Sequence, residues 1–259
     1  MKRIGAAAAR RALPAPLAPL VTRIAESGER LGLGVHLVGG PVRDLLLGRP
    51  LVDVDLLVEV RHRMQPEPAA ALARRAARAG ERAVAHPRFG TARLIGERGA
   101  VDLATARSEI YPKPGALPLV RSGTLEQDLA RRDFTVNALA IPMNRVAREG
   151  RPAFLDRFGG RADLTARRLR ILHAGSFHDD PTRALRAARF ASRLGFRLEA
   201  GSRRALRAAL AAGAFDGVSG QRFRAELARG FADAEADPGA TLAWLARWGV
   251  LEALARGAA

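Results

Sequence analysis

The stretch Leu37–Val60, LVGGPVRDLLLGRPLVDVDLLVEV, decides how the chain is read. An apolar run, Val35–Val38, stops at Gly39-Gly40. A short helix is expected next, because Pro41 suits its first position and Gly48 suits its end. A second apolar run begins at Asp53-Val54-Asp55. The pattern predicts strand, glycine turn, helix and strand, with two carboxylates at the start of the second strand.

That order has chemical consequences. Gly39 and Gly40 carry no Cβ, so a phosphate can come close to the backbone. A helix opening at Pro41 offers unpaired N–H groups and a positive dipole end to an anion. Arg43 adds a charged fork to the same phosphates. Residues i and i+2 of a strand project together, so Asp53 and Asp55 stand side by side. Adjacent carboxylates repel unless a cation separates them. Mg²⁺ fits that place, since it takes one or two carboxylates and completes its octahedron with water and phosphate oxygens. A Gly-Gly pair by itself is an ordinary turn, and a lone Asp-x-Asp is an ordinary solvated strand end. Their combination around one helix start reads as a triphosphate cradle facing a metal.

The 259 residues can hold one large domain or two modest ones. No apolar run is long enough to span a membrane. The absence of cysteine removes disulfides and thiolate metal sites and fits a reducing, cytoplasmic location. The first 20 residues, basic and alanine-rich, read as a flexible arm, because Arg10-Arg11 interrupts any signal-like apolar core. The net charge is +17, and 41 of the 43 basic residues are arginine. A genome rich in Arg codons explains the choice of arginine but not the size of the excess. That excess is spread along the chain, +9 through Gly150 and +8 beyond it. Such a surface attracts polyanions, of which nucleic acid is the commonest.

Leu20–Gly32 has helical spacing, Met64–Pro68 reads as a loop, and Ala69–Ala79 as a helix. Short strands follow at Ala83–Ala85, Ala92–Ile95 and Ala100–Ala104. The last carries Asp102 between Val101 and Leu103, where an unpaired carboxylate is costly. A third metal-facing carboxylate explains it; so does a partner arginine. Thr105–Ser122 is rich in proline and reads as a mobile loop. Leu125–Ile141 resembles an amphipathic helix, within which Arg132, Asp133 and Asn137 can hydrogen-bond ribose and phosphate. After Asn144 the chain turns helical. Pro181 suits a helix start, capped by Asp179 or Asp180. Arg183, Arg186, Arg189 and Arg193 share one face of that helix, with few acids to balance them, which argues for an anionic partner. Trp244 and Trp248, at i and i+4, read as a packed core pair.

Together these pieces resemble the class II tRNA nucleotidyltransferases (CCA-adding enzymes) and the related bacterial poly(A) polymerases. The resemblance covers roughly Gly34 to Phe196. It rests on four motifs in order: Gly39-Gly40-Pro41-Val42-Arg43-Asp44, Asp53-Val54-Asp55, Arg131-Arg132-Asp133-Phe134-Thr135-Val136-Asn137-Ala138, and Asp179-Asp180-Pro181-Thr182-Arg183-Ala184-Leu185-Arg186. It implies an α/β (α+β) nucleotidyltransferase head of the DNA polymerase β type, with a small mixed sheet, followed by an α-helical neck. The expected boundaries are an arm at 1–20, a head at 21–145, and a helical neck and truncated body at 146–259.

By matching position, the resemblance gives Gly39, Gly40, Arg43 and Asp44 to the triphosphate. It makes Asp53, Asp55 and Asp102 the Mg²⁺ ligands and catalytic acids. Arg132, Asp133 and Asn137 fall to the ribose, Asp180 and Arg183 to the incoming base, and Arg186 and Arg189 to the support of that base site. A carboxylate beside a guanidinium imitates a pairing base edge, so no template strand is required. The implied substrates are CTP, ATP and the 3′ end of tRNA, with two-metal phosphoryl transfer. Asp179 departs from the family pattern, which often has Glu there. The chain also stops soon after the neck, so either a reduced surface holds the tRNA, a partner subunit supplies the missing part, or the chain is a fragment. Poly(A) synthesis, and RNA binding without catalysis, are the rival readings.

Overall fold

The computed structural model describes residues 5–61 and 66–256. Its contacts divide the chain into two compact units. The first comprises Met1–Ser108, Val120–Arg132 and Asn137–Arg161; the second comprises Glu109–Leu119, Asp133–Val136 and Ala162–Ala259. This corrects the expected single cut at residue 145, because two short pieces from inside the expected head belong to the second unit. Phe134 shows why: its ring packs edge-on against Phe190, 6.1 Å between centroids, and its backbone bridges Ile171.

The first unit opens with α1 (Ala6–Ala12) and α2 (Ala18–Leu31). The expected flexible arm is therefore wrong from residue 5 onward, and residues 1–4 lie outside the described residues. Ala9, Leu13 and Leu17 are buried, and Arg10 donates to the Met143 carbonyl at 2.7 Å. Helix α2 buries Leu20, Val21, Ile24 and Ala25 on one stripe, the spacing of an amphipathic helix. Then come β1 (Leu33–Val38), α3 (Gly40–Leu46), β2 (Asp55–Val60), α4 (Pro68–Ala76), β3 (Arg82–His86), β4 (Thr91–Gly96) and β5 (Gly99–Thr105). The first two residues of the expected loop at Met64–Pro68 lie outside the described residues, and its last residue, Pro68, already opens α4. The next expected loop, Thr105–Ser122, contains two short strands, β6 (Arg107–Ile110) and β7 (Leu119–Ser122). The chain passes between the units there. Leu125–Ile141 is not one helix. It breaks into α5 (Leu125–Ala130), a 3-10 turn at Thr135–Asn137, and β8 (Ala140–Pro142), followed by α6 (Arg145–Arg148).

Six strands form one mixed sheet in the order β3-β4-β5-β2-β1-β8. All pairings are antiparallel except β2 with β5. That parallel pair is the one that positions the site, since α4 and the β3-β4 hairpin lie between its strands in sequence. Strand β1 is buried along its whole length and β2 along its centre, as befits strands covered on both faces.

The second unit is mostly helical: α7 (Gly160–Thr165), α8 (Ser176–Asp179), α9 (Arg183–Leu194), α10 (Ala200–Ala211), α11 (Gly220–Phe231), α12 (Pro238–Arg247) and α13 (Val250–Arg256). Two short strands, β9 (Arg168–Leu169) and β10 (Arg197–Leu198), pair in parallel. Helix α9 starts two residues after Pro181, at Arg183, and neither Asp179 nor Asp180 caps it. Trp244 and Trp248 do pack against each other, but both are half-exposed rather than core.

Candidate active site

In the first unit, β1 ends at Gly39, whose φ of +69° favours glycine. A Cβ there would also lie 2.8 Å from an Arg132 nitrogen and would push that guanidinium aside, but it is the backbone that demands glycine. Gly40 then opens α3. Arg43, on the first turn, is only 3% exposed. Its guanidinium donates in a fork to both Asp44 oxygens at 2.9 Å and to the Asn137 side-chain oxygen at 2.9 Å. The side chain read as a phosphate fork is thus committed to Asp44 and Asn137, and what it does directly is hold Asn137 in place.

The carboxylates come together through the sheet. Asp55 is the first residue of β2, with Asp53 two residues before the strand. In the parallel pairing, Asp55 and Asp102 are Cα partners. Both line a cavity of about 420 Å³ whose wall also holds His86, Arg93 and Arg132. Asp55 is exposed to solvent at the strand end while lining this cavity. Partial burial, and then the Asp102 charge, push its carboxyl above the usual range; Arg132 and Arg93 pull against the rise and Asp53 adds to it.

Asp102 has a second neighbour. Arg93 stands opposite it on β4 and donates to both its oxygens at 2.7 Å. Both readings of Asp102 therefore apply: it is beside Asp55 and it is paired with an arginine. Among the described residues no three acidic or imidazole side chains converge to hold a metal, so the expected three-carboxylate centre is not preformed. The donor set still fits Mg²⁺, since Asp53, Asp55 and Asp102 supply hard oxygens only. The repulsion raising Asp55 is what a cation relieves.

Arg132 is aimed by a residue with no assigned role. Asp128 is fully buried and accepts from Arg132 at 3.0 Å and from Arg131 at 2.7 Å. Arg132 also donates to the Asn137 carbonyl at 3.4 Å. Arg93 was missed because strand register, not spacing, supplies its partner; Asp128 was missed although Arg131 and Arg132 stand three and four residues beyond it, because its full burial shows only in the fold.

In the second unit, Asp133 accepts from the Phe134 amide at 2.8 Å and from Arg186 at 2.9 and 2.7 Å. Asp180 accepts from the Thr182 hydroxyl at 2.6 Å, the Thr182 amide at 3.1 Å and Arg222 at 2.9 Å. Arg222 also grips the Gly115 carbonyl. Arg183 is buried and donates to the Ser176 hydroxyl and carbonyl. Burial raises the Tyr111 phenol, against the pull of nearby Arg183.

The arginine stripe of α9 is not left for a partner to balance, which corrects the expectation. Arg186 and Arg189 meet Glu226 at 3.3 and 3.5 Å, and Arg193 meets Glu235 at 2.6 Å and Asp233 at 3.6 Å. Burial disfavours the charge on Arg186, but Asp133 and Glu226 outweigh it and hold its pKa up. Arg189 is lowered, by burial first and then by Arg186. These acids come from α11 and the segment after it, about forty residues downstream, so helical spacing alone could not reveal them.

Comparison with known proteins fits this geometry. Residues 35–170 match the poly(A) polymerase head domain. The chain is 40% identical over 218 residues to an A-adding tRNA nucleotidyltransferase of Geobacter sulfurreducens, covering 84% of this chain and 24% of that protein. It is 48% identical over 160 residues to a CC-adding tRNA nucleotidyltransferase of Deinococcus radiodurans, covering 61% of this chain and 40% of that protein. The Thermotoga maritima CCA-adding enzyme, solved in complex with tRNA, superposes on 98% of this chain and 56% of its own with a TM-score of 0.78 at 33% identity. The chain thus spans about a quarter to two fifths of the length of these curated relatives. No helix among the described residues is long and apolar enough to cross a membrane. With more than half of its length matched, including the glycine turn and all three carboxylates, the chain belongs to the poly(A) polymerase head-domain family.

Proposed function

We propose that the chain is a template-independent RNA nucleotidyltransferase that adds C, A or both from CTP and ATP to the 3′ end of tRNA, releasing pyrophosphate. The observation that carries this reading is the pairing of Asp55 with Asp102 across β2 and β5, with Asp53 beside them. Carboxylates so placed call for a cation to complete them. The relatives named for A-adding and CC-adding activity support the reaction class and the substrate; a substrate of that kind fits a cytoplasmic location.

Within this reading Asp53, Asp55 and Asp102 hold Mg²⁺. Bound there, the metal supplies electrophilic stabilisation of the reacting phosphate in the two-ion manner of phosphoryl transfer. Gly39 and Gly40 admit the triphosphate to the backbone. Arg43, locked by Asp44, positions Asn137 for the ribose, beside Arg132; Asp133, in the second unit, is the remaining ribose candidate. Arg132 also lays a positive charge beside the carboxylates, aimed by Asp128. In the second unit, Asp180 and Arg183 recognise the base edge, and Arg186 and Arg189 brace them through Asp133 and Glu226.

The test is incorporation of labelled CTP and ATP, separately and together, into tRNAs ending before CCA, after one C and after CC, with Mg²⁺ and an unstructured RNA control. Addition confined to tRNA is expected, and the accepted ends define the nucleotide specificity. Long adenylate tracts on the control RNA would instead make the chain a poly(A) polymerase. RNA binding without incorporation would make it a non-catalytic relative or one that needs a partner subunit.

A further inference from the structure

The helices of the second unit carry a cleft of about 530 Å³ that shares no residue with the groups described above as binding substrate or metal. Leu198 and Leu206, both buried, form its apolar floor. One wall is the tryptophan pair of α12. Helical spacing puts Trp244 and Trp248 one turn apart, with ring centroids 5.3 Å apart and planes tilted by 32°. Rings in such contact leave no gap for a base between them, so a planar ligand stacks on an outer face.

The rim is basic. Arg203 and Arg207, one turn apart on α10, are exposed, as are Arg197 on β10 and Arg247 on α12. The Arg247 guanidinium lies 5.6 Å from the Trp244 ring centroid. Among the described residues, none of these four guanidinium groups pairs with a carboxylate. Arg186, Arg189 and Arg193 on nearby α9 all do. A solvated charged face needs no indole pair or apolar floor, and a core tryptophan pair does not gather four uncompensated cations. Stacking surface plus unpaired arginines is the combination that holds unpaired nucleic acid, with bases on rings and phosphates on guanidinium groups.

We propose that this cleft is an RNA-binding site in its own right, seating an unpaired stretch of the substrate RNA with a base stacked on the tryptophan pair and the backbone phosphates on Arg203 and Arg207. The identity of that RNA as tRNA rests on the function proposed above; the chemistry of the cleft does not.

The chain contains only two tryptophans, both in this cleft, so intrinsic fluorescence excited at the indole band reports on it alone. The protein is titrated with tRNA lacking its 3′ end, with a short unpaired oligoribonucleotide and with free ATP, while filter retention measures tRNA binding independently. Saturable quenching by tRNA and by the oligonucleotide is expected. The Arg203→Glu/Arg207→Glu variant should lose the quench, bind tRNA about tenfold or more weakly, and show a salt slope smaller by about two. The Arg203→Lys/Arg207→Lys variant should keep most of the binding, which separates lost charge from lost fold. Filter-detected tRNA binding with no quench, a quench that survives the charge reversal, or a quench by free ATP alone would each overturn the cleft proposal and leave the function standing. Quenching by RNA with no incorporation into any tRNA would do the reverse.

Discussion

Asp55 and Asp102 are Cα partners across the only parallel pairing in the six-stranded sheet. Two acids in that relationship repel, and the repulsion raises the Asp55 carboxyl after burial has already done so. A raised carboxyl favours the folded state fully at pH values below its unfolded pKa and loses that contribution as pH rises through the folded value. At neutral pH in the absence of metal, the charged Asp55 is therefore a burden on the fold. Asp55→Asn removes the burden, so the metal-free variant should melt at or above the parent temperature. It should gain less from added Mg²⁺ and incorporate nucleotide only at background. Scanning calorimetry with EDTA and with Mg²⁺ measures both; a variant melting several degrees lower in EDTA would contradict the charge argument.

Arg93 belongs to the same argument. The pair it forms with Asp102 is half-exposed, so Arg93→Ala should cost less than about 1 kcal/mol of stability. Its removal takes away one of the cations that restrain Asp55. The acid limb of the incorporation profile should consequently move to higher pH, and an unmoved limb would show that Arg93 does not act on Asp55.

How much of this was legible in the sequence depends on the range of each interaction. The run from Val35 to Val60 announced its strand, glycine turn, helix and strand because each signal lies within a few residues of what it controls. Asp102 stood out as an acid in an apolar strand, but the register that sets it beside Asp55 and opposite Arg93 joins segments some ten to fifty residues apart. The alanine-rich start looked like a tail because alanine carries little apolar signal, yet Ala9 is fully buried and Arg10 is tied to Met143. The stripe on α9 looked unbalanced because Glu226, Asp233 and Glu235 arrive from outside the window in which charges can be compared by spacing.

Arg43 shows how such a contact can be tested through stability. Its guanidinium is buried and satisfies Asp44 and Asn137 together. Arg43→Ala removes these bonds and should destabilise the first unit by about 3 kcal/mol, in the range for breaking a buried ion pair. Arg43→Lys should recover little of this, because an ammonium cannot reproduce the fork. Urea unfolding of the two variants decides the point; a lysine variant as stable as the parent would mean that charge alone is needed.

Glu59 governs the acid limit of the same unit. Burial would raise its carboxyl, but His36, Arg151 and the Leu125 amide more than offset that and hold it far below the ordinary range. A lowered carboxyl contributes stability at pH values above its unfolded pKa and loses it as pH falls toward the folded value. Buried His36 is lowered too, chiefly by desolvation, so it favours unfolding once pH drops below the usual histidine value. Both effects have the same sign. Stability should fall steadily on acidification from about pH 6.5. Glu59→Gln should cost about 3 kcal/mol at pH 7, and its deficit against the parent should shrink below pH 4. A deficit independent of pH would point to lost packing instead.

Asp180 carries the last prediction, on nucleotide choice. Thr182 clasps one of its oxygens through hydroxyl and amide, and Arg222 donates to that same oxygen. The other oxygen has none of these partners, and a carboxylate held in this way can accept from the exocyclic amino group of cytosine or adenine. Uracil presents a carbonyl at the corresponding position, which a carboxylate repels. Asp180→Ala should therefore reduce the preference for CTP and ATP over UTP by about 10- to 100-fold, the worth of one good base-edge contact. Arg222→Ala should reduce it less, because Thr182 still orients the acid. The measurement is kcat/KM for each nucleoside triphosphate on one tRNA. An Asp180→Ala enzyme that is slower with every nucleotide but keeps their ratio would make Asp180 a structural residue and move base recognition to Arg183.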